Sequence, residues 1–210
     1  MNPCKSLLIF GATGTLGRVL VLQALKEGHR VTTFARTPSN VEAPSAHLIH
    51  TQGDVLDADA VARAVEGQDA VLCTLGNGRR GKVRAPGTAN IVRAMQRAQV
   101  RRLVCQTTLG PGDSWANLNF FWKHVMFGGV LRPAFADHVE QEQHVMQSSL
   151  DWTVVRPGAF TDGPCTGTYR HGFSSSERVA LKISRADVAH FMLRQLSDGL
   201  YLRRAVGLSY

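Results

Sequence analysis

A doubly wound α/β fold, one parallel sheet covered by helices on both faces, is predicted by three features of the sequence. Short apolar or β-branched runs alternate with stretches of helical periodicity. A glycine-rich turn joins the first such run to the first helical stretch. The chain has 210 residues and 44% hydrophobic residues, enough for one well-buried core and short for two. A single domain spanning 1–210 follows, arranged as a three-layer sandwich.

The elements read in order along the chain. Residues 6–10, 30–35, 47–51, 70–75, 101–107 and 152–156 read as short buried strands bounded by Gly, Asp or Pro. Between the first two, 16–27 places Leu16, Val19, Leu20 and Ala24 on one helical face, with Gly28 as the C-terminal stop. Helices are expected at 58–65, capped by Asp57, and at 88–98. After Thr108 the periodicity changes: 110–136 holds two tryptophans and four phenylalanines and reads as a cover over a cleft. A helix over 137–149 leads to the strand at 152–156, and the loop-rich stretch 158–182 reads as a second substrate-side loop. A last helix opens at Ser184, with Asp187 three residues on in a capping-box arrangement.

Composition narrows the function classes. The formal charge is +8, with Arg79, Arg80, Lys82 and Arg84 the densest basic cluster. Gly78 and Gly81 flank or break that cluster and no aromatic residue is interleaved, so it reads as a solvated loop edging an anion site, not as a nucleic-acid surface. No apolar run approaches the ~20 residues of a membrane span, and 7–10 is too short for a secretory core of about 7–15 residues. A cytoplasmic protein with no membrane partner is expected. Cys4, Cys73, Cys105 and Cys165 show neither CxxC nor metal spacing, so no metal site is expected, and Cys73 and Cys105 sit in strand-like runs as small hydrophobes.

The turn reads Gly11-Ala12-Thr13-Gly14-Thr15-Leu16-Gly17, directly after LLIF. In that context Gly11 permits a tight turn, Gly14 lets a pyrophosphate approach the backbone, and Gly17 lets the helix pack close to the strand. The unpaired N–H groups of the helix N-terminus favour the phosphates. The end of the second strand, where an NAD site carries a carboxylate, reads Phe34-Ala35-Arg36-Thr37-Pro38-Ser39, with no acid before Glu42. Arg36 suits a 2′-phosphate, so NADP(H) is expected over NAD(H). Asp54, after the third strand, can accept from an adenine amino group. Gly76 and Thr107-Thr108 follow the next strands at the ends where open α/β sheets bind ligands.

These stretches together resemble the atypical short-chain dehydrogenase/reductase family. The resemblance is to its small NAD(P)H-binding branch of Rossmann-like proteins, which includes biliverdin-IXβ reductase/flavin reductase and NmrA-like proteins. It is carried by IFGATGTLG, the strand end at 31–36, GDVLD, GQDAVLCTLG, SSLDWTVVRPG, TGTYR and ISRADVAHFMLRQL. It covers most of the chain and is weakest at 112–136. The resemblance implies that Thr13, Thr15, Arg36, Asp54, Val55, Leu75, Gly76 and Thr107 line the cofactor beside Leu16 and the glycines. Pro157 would lie beside the nicotinamide. It further implies an NADPH-dependent reductase of flat, conjugated acceptors such as flavins or quinones.

The departures shape that expectation. The Tyr-x-x-x-Lys pair of many short-chain dehydrogenases is missing, with Ala134 and His138 in its two places. Where the flavin reductase branch has a serine after the fifth strand, this chain has Thr108. The histidine of the biliverdin-type loop is replaced by Gly158-Ala159, which counts against tetrapyrrole reduction. Thr108 and His138 are therefore the candidate catalytic residues, His138 as a proton donor, with Glu142 one turn on either orienting it or solvated. Trp115, Phe120, Phe121, Trp122 and Phe135 are candidates for an aromatic pocket. The alternative is a non-catalytic NADP(H)-sensing regulator of the NmrA-like type. An epimerase is disfavoured because it would need the missing pair.

Overall fold

Leu7, Leu8, Ile9 and Phe10 are all fully buried, as a strand covered on both faces requires. They form β1 (Ser6–Phe10), which lies parallel between β2 (Arg30–Ala35) and β4 (Ala70–Cys73). The computed structural model describes residues 4–37 and 45–210. Beyond β2 lies β3 (Leu48–Gln52); beyond β4 lie β5 (Arg102–Gln106), β6 (Asp151–Pro157), β10 (Arg204–Ser209) and β8 (Arg170–His171). Only β8 runs antiparallel in this eight-stranded sheet. The strand reversal at β1 puts the glycine turn at a topological switch point, where such sheets form a crevice. A separate parallel pair, β7 (Ala159–Thr161) with β9 (Lys182–Ser184), folds over the same end.

Each face of the sheet carries its own core. On one side α1 (Thr15–Lys26) and α5 (Arg185–Arg194) bury Leu16, Leu20 and Val21 against Val188, Phe191 and Met192. On the other, α2 (Ala58–Val65), α3 (Arg84–Arg97) and α4 (Arg132–Met146) bury Val61, Ile91, Met95 and Val145. Asp57 caps α2 as its sequence position requires, accepting from Asp59 N at 3.0 Å and Ala60 N at 3.1 Å. Ser184 caps α5, accepting from Asp187 N at 3.0 Å. Asp187 departs from a capping box: its carboxylate takes Tyr210 Oη at 2.6 Å and the N–H groups of Thr166 and Gly167, so it ties down a distant loop.

Several boundaries differ from the sequence expectation for long-range reasons. β3 is an edge strand, largely exposed, not a buried one. α3 starts at Arg84, a turn before the expected 88, because Asp137 of α4 caps it from across the fold. Pro86 is tolerated there because first-turn N–H groups have no helical partner. α4 likewise starts at Arg132, with Pro133 in its first turn. β10 was not expected, since Gly207 interrupts its apolar run. A Cβ there would lie 2.7 Å from the Phe173 ring, so the close approach excludes the side chain that would have marked the strand.

The aromatic segment is ordered. Gly112–Asn117 is a 3₁₀ turn and Phe121–Val130 a π-helix, closed by Leu131 N donating to Met126 O at 2.7 Å. It rests on a small third core of Leu109, Leu118 and Phe127, joined by Phe173 and Leu181 from 158–182.

Candidate functional site

A cavity of about 620 Å³ runs across the carboxyl ends of the central strands. Its first end is built from backbone. Gly11 has φ +77°, and a Cβ on it would lie 2.4 Å from Thr74 O, so only glycine closes this turn against the end of β4. Gly14 N donates to Gly11 O at 3.0 Å, and α1 starts immediately after with no side-chain cap and no acid in its first turn. Thr13, Gly14, Thr15 and Leu16 line the cavity there. The uncapped N–H groups and the positive end of the helix suit a diphosphate. Gly17 lies beneath the turn: a Cβ there would sit 2.1 Å from Gly11 O.

At the neighbouring strand ends, Gly53 N donates to Ala35 O at 3.0 Å and Gln52 Nε2 to Arg36 O at 3.1 Å. These bonds hold the Arg36 backbone at the rim while its side chain stays exposed, with no partner among the described residues. Glu42, Pro38 and Ser39 lie outside the described residues. Asp54 uses Oδ1 to accept from Leu56 N at 3.0 Å, which aims the loop, and Asn90 Nδ2 fixes Val55 through its carbonyl at 2.9 Å. Asp54 and Val55 both line the cavity, as do Leu75 and Gly76 beyond β4.

Around the middle of the cavity the side chains divide into those that face it and those that support it. Thr108 and Pro157 face it, and the Thr108 hydroxyl has only a 3.4 Å bond to Leu109 O. Thr107 also lines it, but its hydroxyl is committed below, donating to Glu142 Oε1 at 2.7 Å. Glu142 therefore does not orient His138. Its carboxylate pairs with buried Arg156, taking Nε at 3.0 Å and Nη2 at 2.6 Å. The third guanidinium nitrogen reaches Asp113 at 2.7 Å and so ties the 3₁₀ turn to β6. Burial alone would lower the Arg156 pKa, but the two carboxylates outweigh it and raise it.

His138 is buried on α4 and lines the cavity. Its Nδ1 lies 3.0 Å from Gln141 Oε1. Gln141 Nε2 is committed to Thr88 Oγ1 at 3.1 Å and Cys105 Sγ at 3.3 Å, so the amide oxygen faces the ring and Nδ1 carries the proton. Burial, reinforced by nearby Arg84, lowers the imidazole pKa to about 4. The ring is neutral near pH 7, which corrects the expectation of a charged proton donor. Nε2 has no partner among the described residues and is not sealed from solvent, so it offers the cavity a lone pair.

Arg84 is also not a solvated loop cation. It is buried against Asp137, which accepts from Val83 N, Arg84 N and Ala85 N at 3.3, 3.1 and 3.0 Å and from Arg84 Nη1 at 3.4 Å. Burial would raise the Asp137 carboxyl, but these donors outweigh it and hold it below the ordinary value. Arg79, Arg80 and Lys82 are exposed as expected.

The far end of the cavity is apolar. Of the five aromatic candidates only Trp122 lines it; the wall is completed by Leu118, Phe127, Leu131, Phe160 and Leu181. Phe135 packs behind, stacked on Phe127 at 4.5 Å, while Phe120 and Phe121 face outward. Sequence reasoning missed Arg156 and Phe127. A lone arginine inside the apolar run DWTVVRPG was the available signal for the first; the second had none, since one apolar residue among many gives no direction.

This geometry is that of a dinucleotide-binding α/β protein, and comparison with known families agrees. Residues 11–199 match the NAD(P)H-binding family, and the chain belongs to it. The yeast UPF0659 protein YMR090W of Saccharomyces cerevisiae is 26% identical over 210 aligned residues, covering 93% of this chain and 88% of that protein. Among solved structures, the anaerobilin reductase ChuY of Escherichia coli O157:H7 superposes with a TM-score of 0.81 at 24% identity, over 97% of this chain and 96% of that one. A short-chain dehydrogenase/reductase of Veillonella parvula in complex with NADP gives a TM-score of 0.84 at 16% identity, over 98% and 94%. Matches to uncharacterised mycobacterial proteins such as Rv2047c of Mycobacterium tuberculosis reach 37% identity over 97 residues, but the chain spans only 11% of their length. Among the described residues no group of three or more His, Cys, Asp or Glu could hold a metal, and no helix is long and apolar enough to cross a membrane.

Proposed function

We propose that this protein is an NADPH-dependent reductase of a flavin, quinone or similar flat conjugated acceptor. One observation carries the reading. A single cavity joins the uncapped N-terminus of α1 and the unpaired Arg36 to an apolar wall of Trp122, Phe127 and Leu181. A bound reduced nicotinamide supplies a hydride. The chain's own work is to hold an acceptor against it, which contributes through proximity and orientation. Ala134 and neutral His138 in the Tyr/Lys places leave no strong acid for a carbonyl oxygen, and reduction of a conjugated ring that solvent can protonate needs none. His138 Nε2 is placed to accept a hydrogen bond from an acceptor N–H or O–H. Thr108 provides a further hydroxyl to the same cavity.

NADPH consumption with FMN, riboflavin and a panel of water-soluble quinones tests the proposal: a rate above the background of the acceptor alone is expected, and none with any acceptor would overturn it. Cofactor choice has its own test. Arg36→Glu is expected to weaken NADPH binding by about 10–100-fold while leaving NADH nearly unchanged, from the loss of charge-assisted bonds to the 2′-phosphate. Equal binding of the two cofactors by the unaltered protein would remove Arg36 from this role. The lack of an acid favours a second reading, a non-catalytic NADP(H)-sensing regulator. It expects tight cofactor binding without turnover, and a partner held or released according to cofactor redox state.

A further inference from the structure

The π-helix is apolar on both of its faces. Trp122, Phe127 and Leu131 turn inward to the cavity, whereas Phe121, Val125 and Val130 turn outward, 52%, 44% and 44% exposed, beside Phe120 at 74%. A helix apolar all round normally has a partner on each side, and large exposed apolar patches mark interaction sites. The surroundings are basic. Lys123 and Arg132 flank the outward residues, and the 77–84 loop, carrying exposed Arg79, Arg80 and Lys82, packs on the start of α4: a Cβ on Gly81 would lie 2.6 Å from Pro133 O. The acids of these elements are engaged elsewhere. Asp113 pairs with Arg156, Asp137 with Arg84, and Glu140, two turns further along α4, faces His144.

We infer, against the sequence expectation of no membrane partner, that the outer face of the π-helix, with the 77–84 loop, docks the protein peripherally on an anionic phospholipid surface. Charge selects this occupant: a second copy would set the same five cations against each other, whereas lipid phosphates complement them. An apolar wedge or a basic patch alone gives marginal membrane binding, and the two together give stable attachment. Because the inner face of the same helix walls the cavity, docking brings the acceptor end of the cavity to the lipid. That an acceptor dissolved in the bilayer enters there rests on the reductase reading; the docking surface does not.

Co-sedimentation of the full chain with vesicles tests it. Binding is expected to vesicles of phosphatidylcholine mixed with phosphatidylglycerol, weaker at high salt, and not to phosphatidylcholine alone. Phe121→Glu with Val125→Glu should reduce that binding by at least about tenfold, and so should Arg79→Glu with Arg80→Glu. Phe121 and Val125 do not line the cavity, and Phe121 meets its wall only edge-on through Trp122, away from the glycine turn, so NADPH binding should be unchanged and report that the variants are folded. Four results would overturn the inference: no binding to anionic vesicles at low salt; binding to phosphatidylcholine alone equal to that with phosphatidylglycerol; binding that survives Phe121→Glu with Val125→Glu; or a dimer in light scattering that the same pair dissociates. Vesicle binding without reduction of any acceptor removes the reductase reading and leaves the docking surface. Reduction of a soluble quinone without vesicle binding does the reverse.

Discussion

The two ends of the cavity are built by different means. At the glycine-turn end the cavity is lined by backbone, with the Arg36 and Asp54 side chains added at its rim, and the turn is wedged between β1, β4 and α1 above the main cores: Gly11 lies against Thr74, and Gly17 against Gly11. At the apolar end the wall is side chains on a π-helix and a 3₁₀ turn, resting on a small core of Leu109, Leu118 and Phe127 and tied to the sheet through Asp113 and Arg156. Backbone recognition tolerates almost no change in residue type, because a Cβ has nowhere to go. A side-chain wall tolerates many, because apolar residues of similar volume replace one another at small cost.

The sharpest way to break that contrast is at Gly11. Gly11→Ala introduces a left-handed strain and a collision with the main-chain carbonyl of Thr74, which cannot rotate aside. A loss of about 4 kcal/mol in urea unfolding is expected, with NADPH binding abolished. A variant that binds NADPH normally would mean that the turn adapts and the glycine-turn end is as forgiving as the other. Next in size is the tie between the two ends. Arg156→Leu strands the buried Glu142 carboxylate beside Thr107 and is expected to cost about 3 kcal/mol. Asp113→Asn removes only the exposed partner, whose side chain is 86% exposed, and should cost under about 1 kcal/mol. Equal losses from the two would show that the apolar end is held by its link to Asp113 and not by the buried pair.

The same contrast explains what was legible in the sequence. The glycine turn, the Asp57 and Ser184 caps and the first two strands are local patterns, and each stands where the sequence puts it. Arg36, Asp54 and Thr108 could be placed because strand ends in this fold converge. Elements defined by distant partners were not legible: the early start of α3 depends on Asp137 more than fifty residues away, and β10 depends on Phe173 filling the space over Gly207. Arg84 and Glu142 were misassigned for one reason. A charge in sequence reads as solvated or as paired with its helical neighbour, and only the tertiary fold supplies the buried partner that changes its role.

A further effect, read against pH, concerns His138, which lines the cavity. Its pKa is lowered from 6.5 to about 4 in the folded protein, chiefly by burial. The folded state therefore favours the neutral ring, so this contribution to stability is complete above about pH 6.5 and is lost as the pH falls from there toward 4. Between pH 7 and about pH 5.5 the loss should be about 1 kcal/mol, and His138→Gln, which cannot titrate, should remove that contribution to the slope in urea unfolding while leaving the one from His29, whose pKa burial also lowers. A histidine acting as charged donor would instead give a turnover rate that declines through pH 6.5 as the proton is lost. With a neutral ring the rate on a water-soluble quinone should show no such decline between about pH 6 and pH 8. A flat profile, together with weaker binding in His138→Phe of riboflavin, whose ring N–H can donate where a quinone has no donor, would mark Nε2 as a hydrogen-bond acceptor for the substrate. The cavity would then combine backbone recognition of phosphate at one end with a single side-chain lone pair fixing the acceptor at the other.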